Sequence, residues 1–163
     1  MKKTVIIILG IAVLLICVGL SGCTETDDLS YVIYDDIEFA SWISNSNEKI
    51  SEAAIDMDDL LTNRSWYALE MYAVSDKDLI DNELKPECLA FNLSYENDEL
   101  RNEYYEMLND RSWSSFYVKM GAINMQNNND SSATDNFHKA GNYTNMAVAH
   151  LKNVLDMMRD LTP

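Results

Sequence analysis

Imidazole is the side chain best suited to acid–base and metal chemistry near neutral pH, and the chain holds two, His138 and His150. Asp135-x-x-His138 has the one-turn spacing of a carboxylate–histidine pair, the unit that di-iron bundles use in duplicate. Ala147 stands three residues before His150, so no second pair exists, and the two histidines lie roughly three helical turns apart. The histidines therefore read as structural. Haem attachment through Cys-x-x-Cys-His is absent from the sequence. The carboxylate pairs Asp35-Asp36 and Asp58-Asp59 are adjacent, so their side chains diverge on a helix. An acid–base or Ca²⁺ site would need groups from other helices. The run Asn127 to Ser132 is rich in oxygen ligands but lacks the spaced acids and glycine of an EF-hand. With no nucleophile motif either, the expectation is a chain with no catalytic residues, no metal site and no cofactor.

Two other groups of residues bear on function. Trp42, Trp66 and Trp113, with Tyr67, Tyr72, Tyr104, Tyr105 and Tyr117, are expected in the core or at its edge, where Tyr and Trp also serve as partner anchors. Asn-x-Ser/Thr sequons occur at Asn63, Asn92, Asn129 and Asn142. Of these, Asn63, Asn92 and Asn129 fall in predicted connections and are the candidate glycosylation acceptors.

The N-terminus gives an address. Lys2 and Lys3 precede an apolar run from Val5 to Leu20, which closes on Leu20-Ser21-Gly22-Cys23. A charged start, an apolar centre and a small-residue exit mark a secretory signal. All four closing residues fit the prokaryotic lipobox, and residues 1–23 resemble a bacterial or archaeal lipoprotein signal. The resemblance implies cleavage before Cys23, a diacylglyceryl group on its thiol, and a chain held on the outer side of the cell membrane. Two acyl chains, at about 0.8 kcal/mol per buried methylene, anchor stably where one does not. The same run is also about long enough to span uncleaved, and the flanking charges give that helix the same orientation.

Loss of residues 1–22 removes Lys2 and Lys3 and no carboxylate, so the formal net charge moves from −15 to −17. That charge excludes nucleic acid as a partner, since phosphates would be repelled. Cys17 leaves with the signal and Cys23 is acylated, so Cys88 has no partner in the chain and no disulfide framework forms. Cys88 is expected as a buried apolar residue.

What must position these residues is helical. After Cys23 the chain has only Pro86, Pro163, Gly121 and Gly141 as breakers. The first apolar stripe runs Leu29, Ile33, Asp36, Ala40, Ile43, Asn47, Ile50, Ala54, Met57, Leu61, with a kink expected in the polar run Ser44–Asn47. A second helix is expected over about 65–84, with Ser65 at its N-cap, Asp76 interrupting its stripe, and a capping box at Ser75–Asp78 that would break it. Pro86 is expected to end or bend it. A third helix, capped by Ser94, starts its stripe as Leu100, Tyr104, Met107 and restarts as Trp113, Phe116, Met120, Ile123, implying a local unwinding or a change of neighbour near Arg111. The last helix, opened by a capping box at Ser132–Asp135, has the clearest stripe: Ala133, Phe137, Ala140, Thr144, Ala147, Leu151, Val154, Met158, Leu161. Gly121 and Gly141 would sit at one level of this hairpin, where two backbones approach.

The expected architecture is an all-α, antiparallel up-down-up-down four-helix bundle over 29–163, behind a signal at 1–22 and a tether at 23–28. The expected function is a lipid-anchored extracytoplasmic binding or structural module without catalysis, meeting the membrane through its lipid and an envelope protein as partner. The alternative is a bundle that binds a small molecule or metal and acts with a membrane partner. A sealed core favours the first, and a cavity lined by Asp36, Asn47 or Thr144 favours the second.

Overall fold

The computed structural model describes residues 35–160. The signal segment, Cys23, the tether, Leu29, Ile33, Leu161 and Pro163 lie outside the described residues. Among the described residues every regular element is helical and no strand occurs. None of these helices is long and apolar enough to cross a membrane.

Helix α1 (Asp36–Thr62) is continuous in its helical assignment. The polar run Ser44–Asn47 stays helical because Ser46 and Asn47 face inward, where the Tyr104 hydroxyl donates to Asn47 Oδ1 at 3.1 Å. Helix α2 (Trp66–Leu79) passes directly into a π-helical stretch, Ile80–Leu84, and then into α3 (Lys85–Ala90). No break occurs at Ser75–Asp78, because Asp76 is a buried residue of the stripe and not a cap. Pro86 does not end the run either. Its ring cannot donate to the carbonyl one turn back, and the wider π turn just before it, with Lys85 N–H donating to Ile80 O, passes the chain into a proline-containing turn. The backbone leaves the helix only at Phe91.

Residues 91–94 and a 3₁₀ turn (Tyr95–Asn97) lead into α4 (Asp98–Gln126), so Ser94 stands at the N-cap position of that short turn, without a side-chain capping bond, and not at that of the long helix. Helix α5 (Asp130–Asp160) opens three residues earlier than the Ser132 capping box implies. Asn129 caps it, its Oδ1 accepting from Ser132 N–H at 3.3 Å. The turns after α1 and α4 share one geometry: Arg64 (φ 55°) and Asn128 (φ 56°) are left-handed, and Ser65 and Asn129 N–H reach back to Leu60 and Asn124 carbonyls.

Helices α4 and α5 pack along most of their length, α2 packs on α4, and α1 packs on α2. Asp35 and Asp36 fasten the 91–94 loop to the start of α1, accepting from the backbone N–H groups of Asn92 (2.9 Å) and Ser94 (3.1 Å). At Gly121 the close neighbour is a ring, not a backbone: an added Cβ would lie 2.5 Å from Phe137. Gly141 faces open space, so no close approach explains it.

The apolar core is in two parts. The larger joins Phe39, Ile43, Ile50, Ile80, Leu84, Tyr104, Leu108, Leu151 and Val154 among others. The smaller joins Met57, Leu69, Ala73 and Ala122, with Trp66 and Phe137 packed against it. Between these two sets every long helix buries at least one polar residue: Ser51, Asp76, Arg111, Ser114, Ser115 and Thr144 are all buried. A polar belt therefore crosses the middle of the protein.

Candidate functional site

The belt explains two irregularities of the sequence pattern. Asp76 falls on the α2 stripe because it belongs inside, and the apparent change of phase near Arg111 is no unwinding, since α4 is continuous. Its inward face runs Leu100, Tyr104, Met107, Arg111, Ser114 and on to Gly121, one uninterrupted helical stripe whose middle is polar. Trp113, Phe116 and Tyr117 instead form an outer face: Trp113 is 44 % exposed, and Trp113 and Tyr117 both lie nearly parallel to the ring of Tyr143 on α5.

Arg111 Nη2 lies 3.1 Å from Asp76 Oδ2, and the two side chains are 7 % and 0 % exposed. Asp76 Oδ2 also accepts a short hydrogen bond from Ser115 Oγ. Neither group is fully satisfied. Asp76 Oδ1 and Arg111 Nε and Nη2 are buried without a hydrogen bond, the Nη2 contact being an ion pair that misses hydrogen-bond direction. Beside them, Ser114 Oγ and Thr144 Oγ1 lie 2.8 Å apart and both donate to Ala140 O.

A cleft of about 50 Å³ opens onto this belt. It is lined by Asn47, Ser51, Arg111 and Thr144 together with Ile50, Ala54, Met107, Val148 and Leu151, and the surface it exposes is mostly apolar. Ser51 Oγ donates to Asn47 O at 2.6 Å. The volume exceeds the roughly 10–15 Å³ that one water needs and falls far below the 300–1,000 Å³ of sites for large ligands. The arrangement can bind, but the lining residues include no carboxylate, thiol or imidazole to act as a base.

The histidines lie elsewhere. His138 and Asp135 are both exposed on α5. His150 bridges α5 to two acids of α4, with Nδ1 at 2.8 Å from Glu103 Oε1 and Nε2 at 3.6 Å from Asp110 Oδ2. The partners come from another helix, so spacing along α5 could not reveal them. Burial would raise Glu103, but hydrogen bonds from Asn153 and His150 outweigh it and hold its carboxyl low. Burial raises Asp110, and Glu106 adds to the shift while His150 opposes it. The two nitrogens point to opposite sides of the ring, so this is a clamp between helices and not a chelate. No group of three or more His, Cys, Asp or Glu suited to a metal ion occurs among the described residues.

Asn63, Asn92 and Asn129 all lie exposed in connections between helices, whereas Asn142 is exposed on α5 itself. Cys88 is fully buried, its sulfur 3.9 Å from the Arg101 carbonyl, and burial pushes its thiol up to about 12. No family model, curated protein or solved structure matches the chain.

Proposed function

We propose that this chain is a lipid-anchored, extracytoplasmic, antiparallel up-down-up-down four-helix bundle that binds a small molecule in the cleft at its polar belt, without catalysis, on behalf of a membrane partner. The observation that carries the binding reading is the cleft itself, which is lined by the buried residues Asn47, Arg111 and Thr144 beside an apolar surface. Stability alone does not account for such a belt, because apolar residues of similar volume in place of a buried ion pair are often neutral or stabilising.

The up-down arrangement is supported at both ends. Asp35 at the head of α1 meets Asn92 beyond α3, while Gln126 at the foot of α4 donates to Glu70 near the start of α2, and Phe137 near the start of α5 packs on Trp66. The lipobox resemblance supports the anchor at Cys23, and the three exposed sequon asparagines suit a surface decorated with glycans where the host makes them. The outer face of Trp113, Tyr117 and Tyr143 favours a second reading, in which α4 and α5 dock an envelope protein.

Native mass spectrometry on protein released from its own membranes tests the proposal. It predicts a chain beginning at Cys23, a diacylglyceryl group, and one further small mass that is lost on unfolding. A chain retaining Met1 to Gly22 sinks the anchor. Absence of any further mass in freshly released protein sinks the ligand reading.

A further inference from the structure

We infer that the outward side of α4, with the flank of α5 beside it, is a membrane-contact face that rests on the anionic lipid surface to which the chain is anchored. This rests on the anchor at Cys23, and it assigns to lipid, not to an envelope protein, the outer face of α4 and α5.

Trp113, Phe116, Met120 and Ile123 follow one another at helical spacing, yet the buried side of α4 at that level is Ser114, Ser115, Gly121 and Ala122. The stripe therefore points away from the bundle. Trp113 is exposed, and Phe116, Met120 and Ile123 are half-buried. Across the seam, α5 adds Tyr143, stacked on Tyr117, and the exposed Met146. An outward apolar patch marks an interaction site, and Trp and Tyr are the residues that gather at the level of lipid headgroups.

Charge names the occupant. Residues 111–129 and 136–155 contain no Asp or Glu, though at the chain's average of 27 acids in 163 residues they would hold about six. Their charged side chains are Arg111, Lys119, Lys139 and Lys152. Lys139 Nζ stands 5.4 Å from the centre of the Tyr117 ring, at the aromatic cluster itself. Residues 35–99, by contrast, hold 17 acids and four bases. The acids behind the net charge of −15 thus lie outside the two stretches, where aromatic rings and a lysine amine are free to meet lipid phosphates.

The length of chain before the described residues brings that surface within reach. Asp35 stands at the head of α1, and twelve residues before it is Cys23, where either N-terminal reading meets the bilayer. Twelve residues span at most about 40 Å, close to the length of the 29-residue α4. Contact with lipid is then intramolecular, so a modest patch is enough. Met107 and Arg111, which line the cleft, lie on the other side of α4 from Met120, so this pose leaves the cleft clear of the bilayer.

The test uses the full-length protein extracted from its own membranes and returned to vesicles of phosphatidylglycerol and phosphatidylcholine, with bromine on the upper acyl chain as quencher. Flotation with the vesicles first reads the anchor. Trp42 and Trp66 pack on the core, so brominated lipid is expected to remove up to roughly a third of the emission, Trp113 being one of three tryptophans. Trp113→Phe, which keeps an aromatic ring, is expected to abolish that loss. Met120→Glu, which sets a carboxylate in the stripe, is expected to do the same, with helicity unchanged by circular dichroism. In phosphatidylcholine alone the quenching is expected to fall at least about twofold. Failure to float overturns the anchor and the face with it. Flotation without quenching, or with quenching that survives Trp113→Phe or Met120→Glu, overturns the face and leaves the anchor standing. Quenching as strong in phosphatidylcholine alone overturns the match to anionic lipid. Trp113 shielded from acrylamide in native membranes but unquenched in the vesicles overturns lipid as the occupant and gives the face to an envelope protein.

Discussion

Removing Arg111 while leaving Asp76 is the sharpest perturbation of the belt. In Arg111→Met the stem of the side chain is largely preserved, but the Asp76 carboxylate, 0 % exposed, keeps only the Ser115 hydroxyl as a donor. Breaking a buried pair from one side costs about 3–5 kcal/mol, because an uncompensated charge remains. For a domain of this size, at roughly 4 °C per kcal/mol, the midpoint falls by about 12–20 °C. Replacing both partners, as Asp76→Leu with Arg111→Met, removes the orphan charge and should return stability to within about 1 kcal/mol of wild type, or exceed it. Urea unfolding followed by circular dichroism, with m-values compared across the cycle, gives the coupling directly. An Arg111→Met cost below about 1 kcal/mol, or a double variant no better than the single, would refute a buried and energetically coupled pair.

The two mid-helix glycines should respond with opposite signs. Gly141→Ala, facing open space, should stabilise by about 0.5–1 kcal/mol, whereas Gly121→Ala must displace the Phe137 ring and should destabilise by about 1–2 kcal/mol by thermal melting. Asp81 is held at about 2: burial opposes its ionisation, but Lys77, Lys85 and Ser112 together outweigh that. Its folded value lies below the ordinary 3.8, so its contribution is present above that pH and is lost as pH falls from 3.8 through about 2. Acid titrations of Asp81→Asn should show a shallower loss across that window. The Cys88 thiol, pushed up to about 12 by burial, should resist thiol reagents at pH 8 in the folded protein and react at once in denaturant. Labelling of the native form at the rate of a free cysteine would contradict its burial.

The helical class and most of each stripe were legible in the sequence because helical periodicity survives a few exceptions. Ile43, Ile50 and Met57 of α1, and Ala133, Ala140, Thr144, Ala147, Leu151 and Val154 of α5, are buried as their spacing implies. The belt was not legible, because its signal resembled noise. Asp76 on a stripe reads as a flaw and Arg111 as a loss of phase until each supplies the partner of the other. Pattern reasoning follows apolar residues, so α4 seemed to restart at Trp113 when its inward face was continuing through Arg111 and Ser114. Of the two outcomes expected at Pro86, the helix does not end there: a local rule about a missing N–H cannot anticipate a π turn that carries the helix past it. The contacts of His150 with Glu103 and Asp110 lie between helices, beyond the reach of spacing on one of them.

A crystal structure of the protein purified from its own membranes, at a resolution showing single waters, tests the central claim most directly. The account predicts connected density of a bound molecule in the cleft between Asn47, Arg111 and Thr144, continuing toward Val148 and Leu151. A cleft closed by its own side chains, or holding only separate waters, would contradict it.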